Sequence, residues 1–432
     1  MKKLLALILT VLMMVALFVG CAPAADDSAD KPVTGEPSKN KDDSDVEVLR
    51  IGVCDALTGS GAAFGVYQTY GTEYAAHVIN KAGGVEIGNK IYKIKLVEYD
   101  NESDATVAMS AASRLIDEDG VQYILGWGSS GATLPVVTAY ADSEVSFLIG
   151  NARSLVILCQ GTTNAWRSCL HNSFLADPYV DFMVNNFKDL ENIAILGQFA
   201  DATYQDHYNS LVNAIEKAGL NVSTTEVFNV GDRDMNTQVT NILRTDFDCV
   251  YLNGNVEELA YCLRQLREQG YIGPVVVGSG GAAEYKEICT DEQLANVYNL
   301  RPLGATRDEC EFLGGAALDF CEGYAEYFGE DPDQTSVYGY DNLWILIEAM
   351  KQAGSVEWAD VNDALADINI PKECIMPYEL TNDKVFDEYH QAYAPLAVFE
   401  FKNGTFECIN VVESGGHDVN AQPFVDYFEA NS

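Results

Sequence analysis

Short apolar runs alternate with amphipathic stretches along most of the chain. Runs bounded by Gly and polar turns indicate buried strands, whereas apolar residues at spacings of three and four indicate helices. The predicted strands are 49–53, 94–99, 121–125, 146–149, 193–196, 222–228, 249–252, 275–277, 397–401 and 406–411. The predicted helices are 70–81, 105–117, 134–142, 207–218, 235–244, 257–268, 311–328, 342–353 and 359–368.

The order of these elements predicts an α/β fold. Strands that are apolar throughout are typical of parallel sheets covered by helices on both faces. The alternation occurs twice, in one block centred on residues 48–150 and in a second centred on 192–300. We therefore expect two doubly wound α/β lobes with a cleft between them. Ligands of such sheets bind beyond the carboxyl ends of the strands, so a site is expected in the loops that follow the strands.

The first 20 residues have the pattern of a signal peptide. Lys2 and Lys3 precede an apolar run from Leu4 to Val19, which is shorter than the roughly 20 residues needed to span a bilayer. The run ends in Leu-Phe-Val-Gly-Cys, which resembles a bacterial lipobox and implies that Cys21 is acylated and becomes the mature N-terminus. The alternative is an ordinary signal peptide, or a membrane anchor that happens to contain a Cys.

Composition limits the cellular location and the binding partners that we expect for this protein. Residues 21–46 are rich in Asp, Ser, Pro and Lys and contain no aromatic residue, which predicts a disordered tether. With 65 acidic and 26 basic residues the net charge is −39, so nucleic acid and anionic membrane surfaces are poor partners. An acidic surface built to attract cations is the alternative to plain solubility. We expect an extracytoplasmic protein that is held at the cell membrane only by its lipid.

The number and spacing of the cysteines do not decide whether the chain forms disulfides. Of eleven Cys, lipidation of Cys21 leaves an even number, which is compatible with disulfides in an exported protein. However, the chain contains no C-x-x-C motif, and Cys54, Cys249 and Cys262 lie within apolar strand or helix patterns. We expect mostly buried thiols, with at most one or two disulfides.

The loop after the third predicted strand carries the best site signal. Gly126, Gly128 and Gly131 match the G-x-G-x-x-G pattern, but a dinucleotide site would normally follow the first strand. Glycines let a ligand approach the backbone, and free amides at a helix N-terminus beside the hydroxyls of Ser129 and Ser130 would form a cradle for a carboxylate. The alternative is that both Ser residues are ordinary helix caps.

Patterns for catalysis or metal binding are scarce. No Ser fits G-x-S-x-G, the G-K-[ST] end of a P-loop is missing, and no H-E-x-x-H or Cys/His cluster has ligand spacing. The five His are scattered and are interpreted as surface or hydrogen-bonded polar residues. Asp201, Asp206 and Asp234 could act as paired carboxylates, but helix caps and solvated faces explain them more simply. The sequence predicts no enzyme, no metal and no cofactor.

Three stretches in order after the lipobox resemble the branched-chain amino-acid type of substrate-binding protein of ATP-binding-cassette (ABC) transporters. They are RIGVCDALTGSGAAFGVYQTYGTEYAAHVINKAGGV from Arg50, YDNESDATVAMSAASRLIDEDGVQYILGWGSS from Tyr99, and DRDMNTQVTNILRTDFDCVYLNGN from Asp232. The resemblance covers about residues 49–404. It implies a type I periplasmic-binding fold, in which two lobes joined by three crossovers close on a small ligand and deliver it to a permease.

The resemblance also implies ligand-binding residues. Family members hold the ligand α-carboxylate with the second Ser of the loop after the third strand, here Ser130, and with a Ser or Thr after the fourth strand, here Arg153 or Ser154. The Tyr of a loop motif in the second lobe corresponds to Tyr204, and the aromatic residue of the first loop corresponds to Phe64. The full predicted ligand-binding set is Phe64, Trp127, Ser129, Ser130, Arg153, Ser154, Tyr204, Asn255 and Gly280.

Some positions depart from the family pattern. An acid that pairs with the ligand ammonium in amino-acid binders would fall near Gly280, where none is present, and Asn255 stands where a second aromatic residue is common. The disulfide of some relatives would need Cys at Ser103 and Ser129.

Arg153 changes the expected ligand class. A planar guanidinium binds carboxylates bidentately, so the set favours an organic acid with an apolar or aromatic body. Two alternatives stay open. Arg153 could turn outward to pair with surface acids, or the ligand could be an amino acid whose ammonium pairs with Asp201 or Glu284.

The implied lobes are residues 47–171 plus 304–395 and residues 172–303 plus 396–432. The expected partners are a small amino acid or organic acid and the permease subunits of an ABC importer, and the protein is expected to be a monomer. A ligand-sensing subunit of a receptor system and an exported enzyme with the same fold are the alternative functions.

Overall fold

The structure is a computed structural model that describes residues 46–200, 202–302, 307–412 and 422–431. The predicted signal peptide, the lipidation site Cys21 and all of the predicted tether except Val46 lie outside the described residues. Among the residues that are described, no helix has both the length and the apolar character that a membrane span requires.

The first sheet has six strands in the order β2–β3–β1–β4–β5–β6. They are β1 (Val46–Asp55), β2 (Val85–Ile87), β3 (Lys90–Asp100), β4 (Tyr123–Gly126), β5 (Ser146–Ile149) and β6 (Ala165–Arg167). Only the edge strand β2 runs antiparallel to its neighbour. β4 and β5 are buried at every residue, as expected for central strands that are covered on both faces.

The second sheet has seven strands in the order β13–β12–β11–β10–β9–β7–β8. They are β7 (Asn192–Gly197), β8 (Asn221–Val227), β9 (Cys249–Asn253), β10 (Val275–Val277), β11 (Val297–Pro302), β12 (Leu396–Lys402) and β13 (Thr405–Val412). The five strands from β7 to β11 are parallel, and β12 and β13 extend the sheet in antiparallel fashion.

Helices cover the sheets and supply the rest of the core. In chain order they are α1 (Ala62–Lys81), α2 (Ala105–Ser113), α3 (Ser130–Ala139), α4 (Asn172–Asn186), α5 (Ala202–Lys217), α6 (Asn236–Ile242), α7 (Val256–Glu268), α8 (Ala282–Lys286), α9 (Arg307–Leu313), α10 (Gly315–Phe328), α11 (Gln334–Ala353), α12 (Trp358–Leu365) and α13 (Gln422–Asn431). α10, α11 and α12 share one apolar cluster with the first sheet, although they follow most of the second sheet in sequence. The chain therefore returns to the first sheet after β11.

α11 crosses α1 at very close range. The hydroxyl of Thr72 donates a hydrogen bond to the carbonyl of Gly339 at 3.1 Å, so a side chain of one helix reaches the backbone of the other. Both helices have a glycine at the crossing, Gly71 and Gly339, and a Cβ at either position would overlap the backbone of the partner helix. The absence of a side chain is what permits this packing.

Connections between the two sheets lie side by side. The chain leaves the first sheet after Arg167 and enters the second with α4, and it leaves the first sheet again shortly before β12. Arg167 pairs with Gln391 in a parallel bridge, because Arg167 N–H donates to His390 O and Ala392 N–H donates to Arg167 O, both at 2.9 Å. The two connections are thus hydrogen-bonded where they leave the first sheet.

The predicted fold class is confirmed, and most predicted elements are present with shifted ends. The predicted helix 311–328 was wrong as a single element, since Gly314 and Gly315 have positive φ values of 65° and 53° and separate α9 from α10. The short strands β2 and β6, the strand β11 and the helices α4, α8 and α13 were not predicted. α4 contains Pro178 in its interior, which hides the helical pattern. The lobe boundaries given above stay a prediction.

The expectation of mostly buried thiols is confirmed. None of the ten Cys in the described residues is in a disulfide, and eight are buried. Cys374 is partly exposed and Cys408 is exposed.

Candidate ligand-binding site

A cavity of about 190 Å³ lies where loops from the carboxyl ends of both sheets meet. From the first sheet and its helices the cavity is lined by Ser60, Gly61, Phe64, Ser103, Gly128, Ser129, Ser130, Asn151, Arg153, Gln334 and Thr335. From the second sheet and its helices it is lined by Asn172, Leu175, Gln198, Tyr204, His207, Val230, Asn253, Asn255, Gly278, Ser279, Gly280, Leu300 and Arg301. Sites for drug-sized ligands measure about 300 to 1,000 Å³, so this cavity suits a smaller molecule.

The structure brings most of the predicted ligand-binding residues together. Those that line the cavity are Phe64, Ser129, Ser130, Arg153, Tyr204, Asn255 and Gly280. Trp127 and Ser154 do not line it. That any of these residues binds a ligand stays a prediction.

Trp127 is part of the apolar core. Its φ of +68° follows a φ of +110° at Gly126, and this turn directs the indole into the core rather than toward the cavity. The ring is fully buried, packs edge-on against Phe147, and its N–H donates to Ile124 O at 3.2 Å. We therefore leave Trp127 out of the proposed ligand contacts.

Ser154 does not line the cavity, but it forms hydrogen bonds to Ser130 in α3 and to Asp206 in α5. Its N–H donates to Ser130 Oγ at 3.1 Å, and its hydroxyl donates to Asp206 Oδ2 at 2.6 Å. Ser130 thus links the start of α3 to the loop after β5. Ser129 occupies the N-cap position of α3, but its side chain makes no capping hydrogen bond.

Arg153 lines the cavity without a protein anion. Its Nε donates to Asn151 Oδ1 at 3.0 Å, and its guanidinium carbon lies 5.9 Å from the ring centroid of Tyr338. Within the part of the chain that the structure describes, Arg153 forms no ion pair. The guanidinium therefore lines the cavity with no described carboxylate paired to it.

None of the described lining residues is acidic, although the chain carries 65 Asp and Glu. Glu284 lies at the start of α8, where its carboxylate accepts from Gly281 N–H at 3.0 Å, and it does not line the cavity. Asp201 lies outside the described residues. The second guanidinium of the cavity, Arg301, pairs with Glu309 at 2.5 Å. The described lining therefore offers cations and neutral polar groups, but no carboxylate for an ammonium group.

Apart from Arg301, the polar side chains on the second-sheet side of the cavity are neutral. Tyr204 donates its hydroxyl proton to Asn255 Oδ1 at 2.7 Å. The ring nitrogens of His207 lie 3.1 Å from Asn172 O and 2.6 Å from the hydroxyl of Tyr251, and burial lowers the pKa of His207 to about 4. His207 is therefore neutral near pH 7, and it is the hydrogen-bonded polar residue that the sequence predicted.

Several lining residues were not predicted individually. Gln198, Asn253 and Gly278 directly follow or end the strands β7, β9 and β10, so the rule that ligands bind at carboxyl strand ends could have identified them. Gln198 Oε1 is buried and has no hydrogen-bond partner among the described residues. In the described residues no cluster of three or more His, Cys, Asp or Glu is placed to hold a metal ion.

The buried carboxyl group of Asp55 accepts a hydrogen bond from the loop that follows β4. Asp55, the last residue of β1, accepts hydrogen bonds at Oδ1 from the N–H groups of Ala56 and Gly128, both at 2.9 Å. Its Oδ2 is buried and has no described partner. Burial outweighs the two donors and raises the pKa of Asp55 to about 7.

Asp55→Asn is expected to change how stability depends on pH. The pKa is about 7 in the folded protein and about 3.8 ordinarily, so between these values the folded state holds a proton that the unfolded state has lost. The contribution of Asp55 to the free energy of unfolding therefore falls as pH rises from about 4 to about 7, by up to about 4 kcal/mol. Asn does not titrate, so the variant should be more stable than wild type near pH 8 but not near pH 4.

Urea unfolding of wild type and Asp55→Asn over this pH range measures the difference, and the exposed Asp363→Asn serves as the matched control. Parallel pH profiles for wild type and Asp55→Asn would contradict the prediction.

Comparison with known proteins agrees with this architecture. A family model described as periplasmic binding protein matches residues 48–405. The Leu/Ile/Val-binding protein homolog 3 of Brucella melitensis is 28% identical over 232 residues, which are 54% of this chain. The match spans 61% of that relative's length, which is less than two thirds.

Two solved structures show the same fold. The branched-chain amino acid transporter substrate binding protein LivJ from Streptococcus pneumoniae, in complex with isoleucine, has a TM-score of 0.72 at 23% identity and covers 85% of this chain and 100% of its own. An ABC transporter solute binding protein from R. palustris, in complex with benzoate, has a TM-score of 0.71 at 16% identity and covers 85% and 96%.

The matched family model spans the first sheet from Val48, the second sheet up to the start of β13, and every residue that lines the cavity. This chain belongs to the periplasmic binding protein family.

Proposed function

We propose that this protein is the extracytoplasmic solute-binding component of an ABC importer and that its ligand is a small organic carboxylate. The observation that carries the ligand class is the cavity itself, in which Arg153 has no ion-pair partner and the described lining has no acid. Relatives and structural neighbours are described as binding proteins for branched-chain amino acids or for benzoate, which supports binding of a small acid without turnover.

The ligand would lie between two closing lobes, residues 47–171 plus 304–395 and residues 172–303 plus 396–432. Arg153 would donate two parallel hydrogen bonds to the carboxylate, next to the N-terminus of α3 at Ser130. Phe64, Leu175 and Leu300 would contact the apolar body of the ligand. Contacts from both sides would favour the closed form, and a permease would then receive the ligand.

A thermal-shift series tests the ligand class. The compounds are leucine, 4-methylpentanoate, which is leucine without the amine, and 3-methylbutylamine, which is leucine without the carboxylate, together with benzoate and benzamide. A bound ligand raises the unfolding midpoint by mass action. We expect at least one amine-free acid to stabilise the protein, whereas 3-methylbutylamine and benzamide should not. Stabilisation by leucine alone would contradict the proposal.

Cys21→Ala is expected to remove the membrane anchor. Two acyl chains bind a bilayer stably because each buried methylene contributes about 0.8 kcal/mol, and the methyl group of Ala cannot carry them. The variant should appear in the medium or keep its signal peptide, as measured by membrane fractionation and the mass of the N-terminal peptide. A Ser28→Ala variant in the same tether serves as the control. Unchanged membrane association of mature Cys21→Ala would contradict the lipid anchor.

A further inference from the structure

A third arginine, Arg167, lies next to the loop that carries Arg153 but does not line the cavity. Arg167, the last residue of β6, is fully buried. In the described part of the chain it forms no ion pair, so its charge is balanced by no contacting carboxylate. Removing a guanidinium from water is costly, which makes a purely space-filling role a poor explanation.

The guanidinium of Arg167 binds the loop that carries Arg153. Its Nη1 donates to the carbonyl of Ala152 at 3.3 Å and to the carbonyl of Ser154 at 2.6 Å. The carbonyl of Arg153, between these two, accepts from Asn172 N–H at 3.0 Å. Three successive carbonyls of the loop are therefore held, and the Arg153 side chain is left to line the cavity.

The same guanidinium binds one of the connections between the sheets. Its Nε donates to Gln391 Oε1 at 2.7 Å, and Gln391 Nε2 in turn donates to Cys169 O at 2.7 Å. Arg167 and Cys169 belong to the connection that leads into α4, and Gln391 belongs to the connection that leads into β12. The Arg167 side chain thus joins both of these connections to the loop Asn151–Ser154.

We propose that Arg167 is a positioning residue that ties the loop Asn151–Ser154 to the paired connections between the sheets, so that presentation of Arg153 to the cavity is coupled to movement of the lobes. The role of Arg153 as the anion contact rests on the proposed function, whereas the tie between loop and connections does not. Arg167 touches no ligand and acts through the backbone of its neighbours.

Arg267 on α7 provides a matched control. It too donates to backbone carbonyls, at Tyr271, Gly273, Gln293 and Ala295 over 2.7 to 3.0 Å, and it does not line the cavity. Burial lowers the pKa of both arginines. Replacing either residue with Met removes several hydrogen bonds from a guanidinium to carbonyls, but only Arg167→Met removes them at the loop Asn151–Ser154.

The test is hydrogen–deuterium exchange of the full-length protein without added ligand. Arg167→Met should speed amide exchange in residues 151–158 by at least about fivefold, since these amides open locally once the loop is released. β1 should keep its wild-type rate. Arg267→Met should speed exchange near 271–275 and 292–297 and leave 151–158 unchanged.

Wild-type exchange at 151–158 in Arg167→Met would overturn the proposal, and so would an equal increase in β1, because that would mark a general loss of stability. If Arg167→Met does not fold, Arg167→Lys is used, because a single ammonium cannot span both carbonyls and Gln391. It should speed exchange in the same segment. If no acid of the thermal-shift series stabilises the protein but Arg167→Met still speeds exchange only at 151–158, the proposed ligand class is refuted and the role of Arg167 is not.

Discussion

Gly71→Ala is expected to lower the free energy of unfolding by at least about 3 kcal/mol. The new Cβ would overlap the carbonyl oxygen of Ser336, which belongs to the backbone of α11 and cannot move without the whole helix. α11 is buried along almost its entire length, so shifting it disturbs the first sheet's core. Urea unfolding monitored by circular dichroism measures the effect.

Gly131→Ala is the matched control, since it makes the same change inside a helix. No atom outside the backbone of its own helix and its two chain neighbours lies within 4 Å of a Cβ at Gly131, and the residue is helical without a positive φ. Alanine favours helix by about 0.5 to 1 kcal/mol over glycine, so this variant should be unchanged or slightly more stable. Equal stability of the two variants would show that α1 and α11 are not in close backbone contact.

Arg153→Gln is expected to weaken binding of the acid found in the thermal-shift series by about thirtyfold or more. A buried, charge-assisted contact contributes about 2 to 5 kcal/mol when one partner is truncated, and about 1.4 kcal/mol corresponds to tenfold in affinity. Arg153 Nε donates to Asn151 Oδ1, and the side-chain amide of Gln is also a donor that can bind Asn151. The loop should therefore stay in place. Isothermal titration calorimetry measures the dissociation constant.

Arg233→Gln controls for the loss of one positive charge in a very acidic protein. Arg233 pairs with Glu257 at 2.7 Å on the surface, where both side chains are more than half exposed, and it does not line the cavity. Its removal should leave the affinity unchanged within about twofold, because exposed ion pairs contribute little. A similar loss of affinity in both variants would mean that overall charge, and not a contact with Arg153, attracts the acid.

The sequence predicted the fold and the general position of the site because both depend on periodic patterns. Apolar strands marked the sheets, and the loops after them do line the cavity, as Ser130 and Asn255 illustrate. Where a strand was not recognised, its site residue was missed. Arg301 lies near the end of β11, whose short, mixed pattern was not read as a strand.

Two further cavity residues were missed because the start of a helix was predicted too late in the sequence. α11 was predicted to begin at residue 342 but begins at Gln334, so Gln334 and Thr335 were not considered for the cavity. Asp333 caps this helix by accepting from the N–H groups of Thr335 and Ser336, a capping signal that the sequence does contain. This omission could have been avoided.

Side-chain direction could not be predicted in the same way. Trp127 lies among predicted ligand residues in sequence, yet a positive φ at a non-glycine residue turns it into the core. Such a φ depends on tertiary packing and leaves no sequence signal. Arg153 could equally have faced solvent, and only the structure shows that it lines the cavity.

Native mass spectrometry of the wild-type protein and Arg153→Gln tests directly whether the cavity binds a carboxylate through Arg153. Benzoate and 4-methylpentanoate are added where the protein is purified without a bound molecule, and benzamide serves as the neutral comparison. We expect wild type to retain a small carboxylate, either co-purified or added, and Arg153→Gln not to retain it. Retention of a molecule without a carboxylate, equal retention by Arg153→Gln, or no complex with any acid would contradict this expectation.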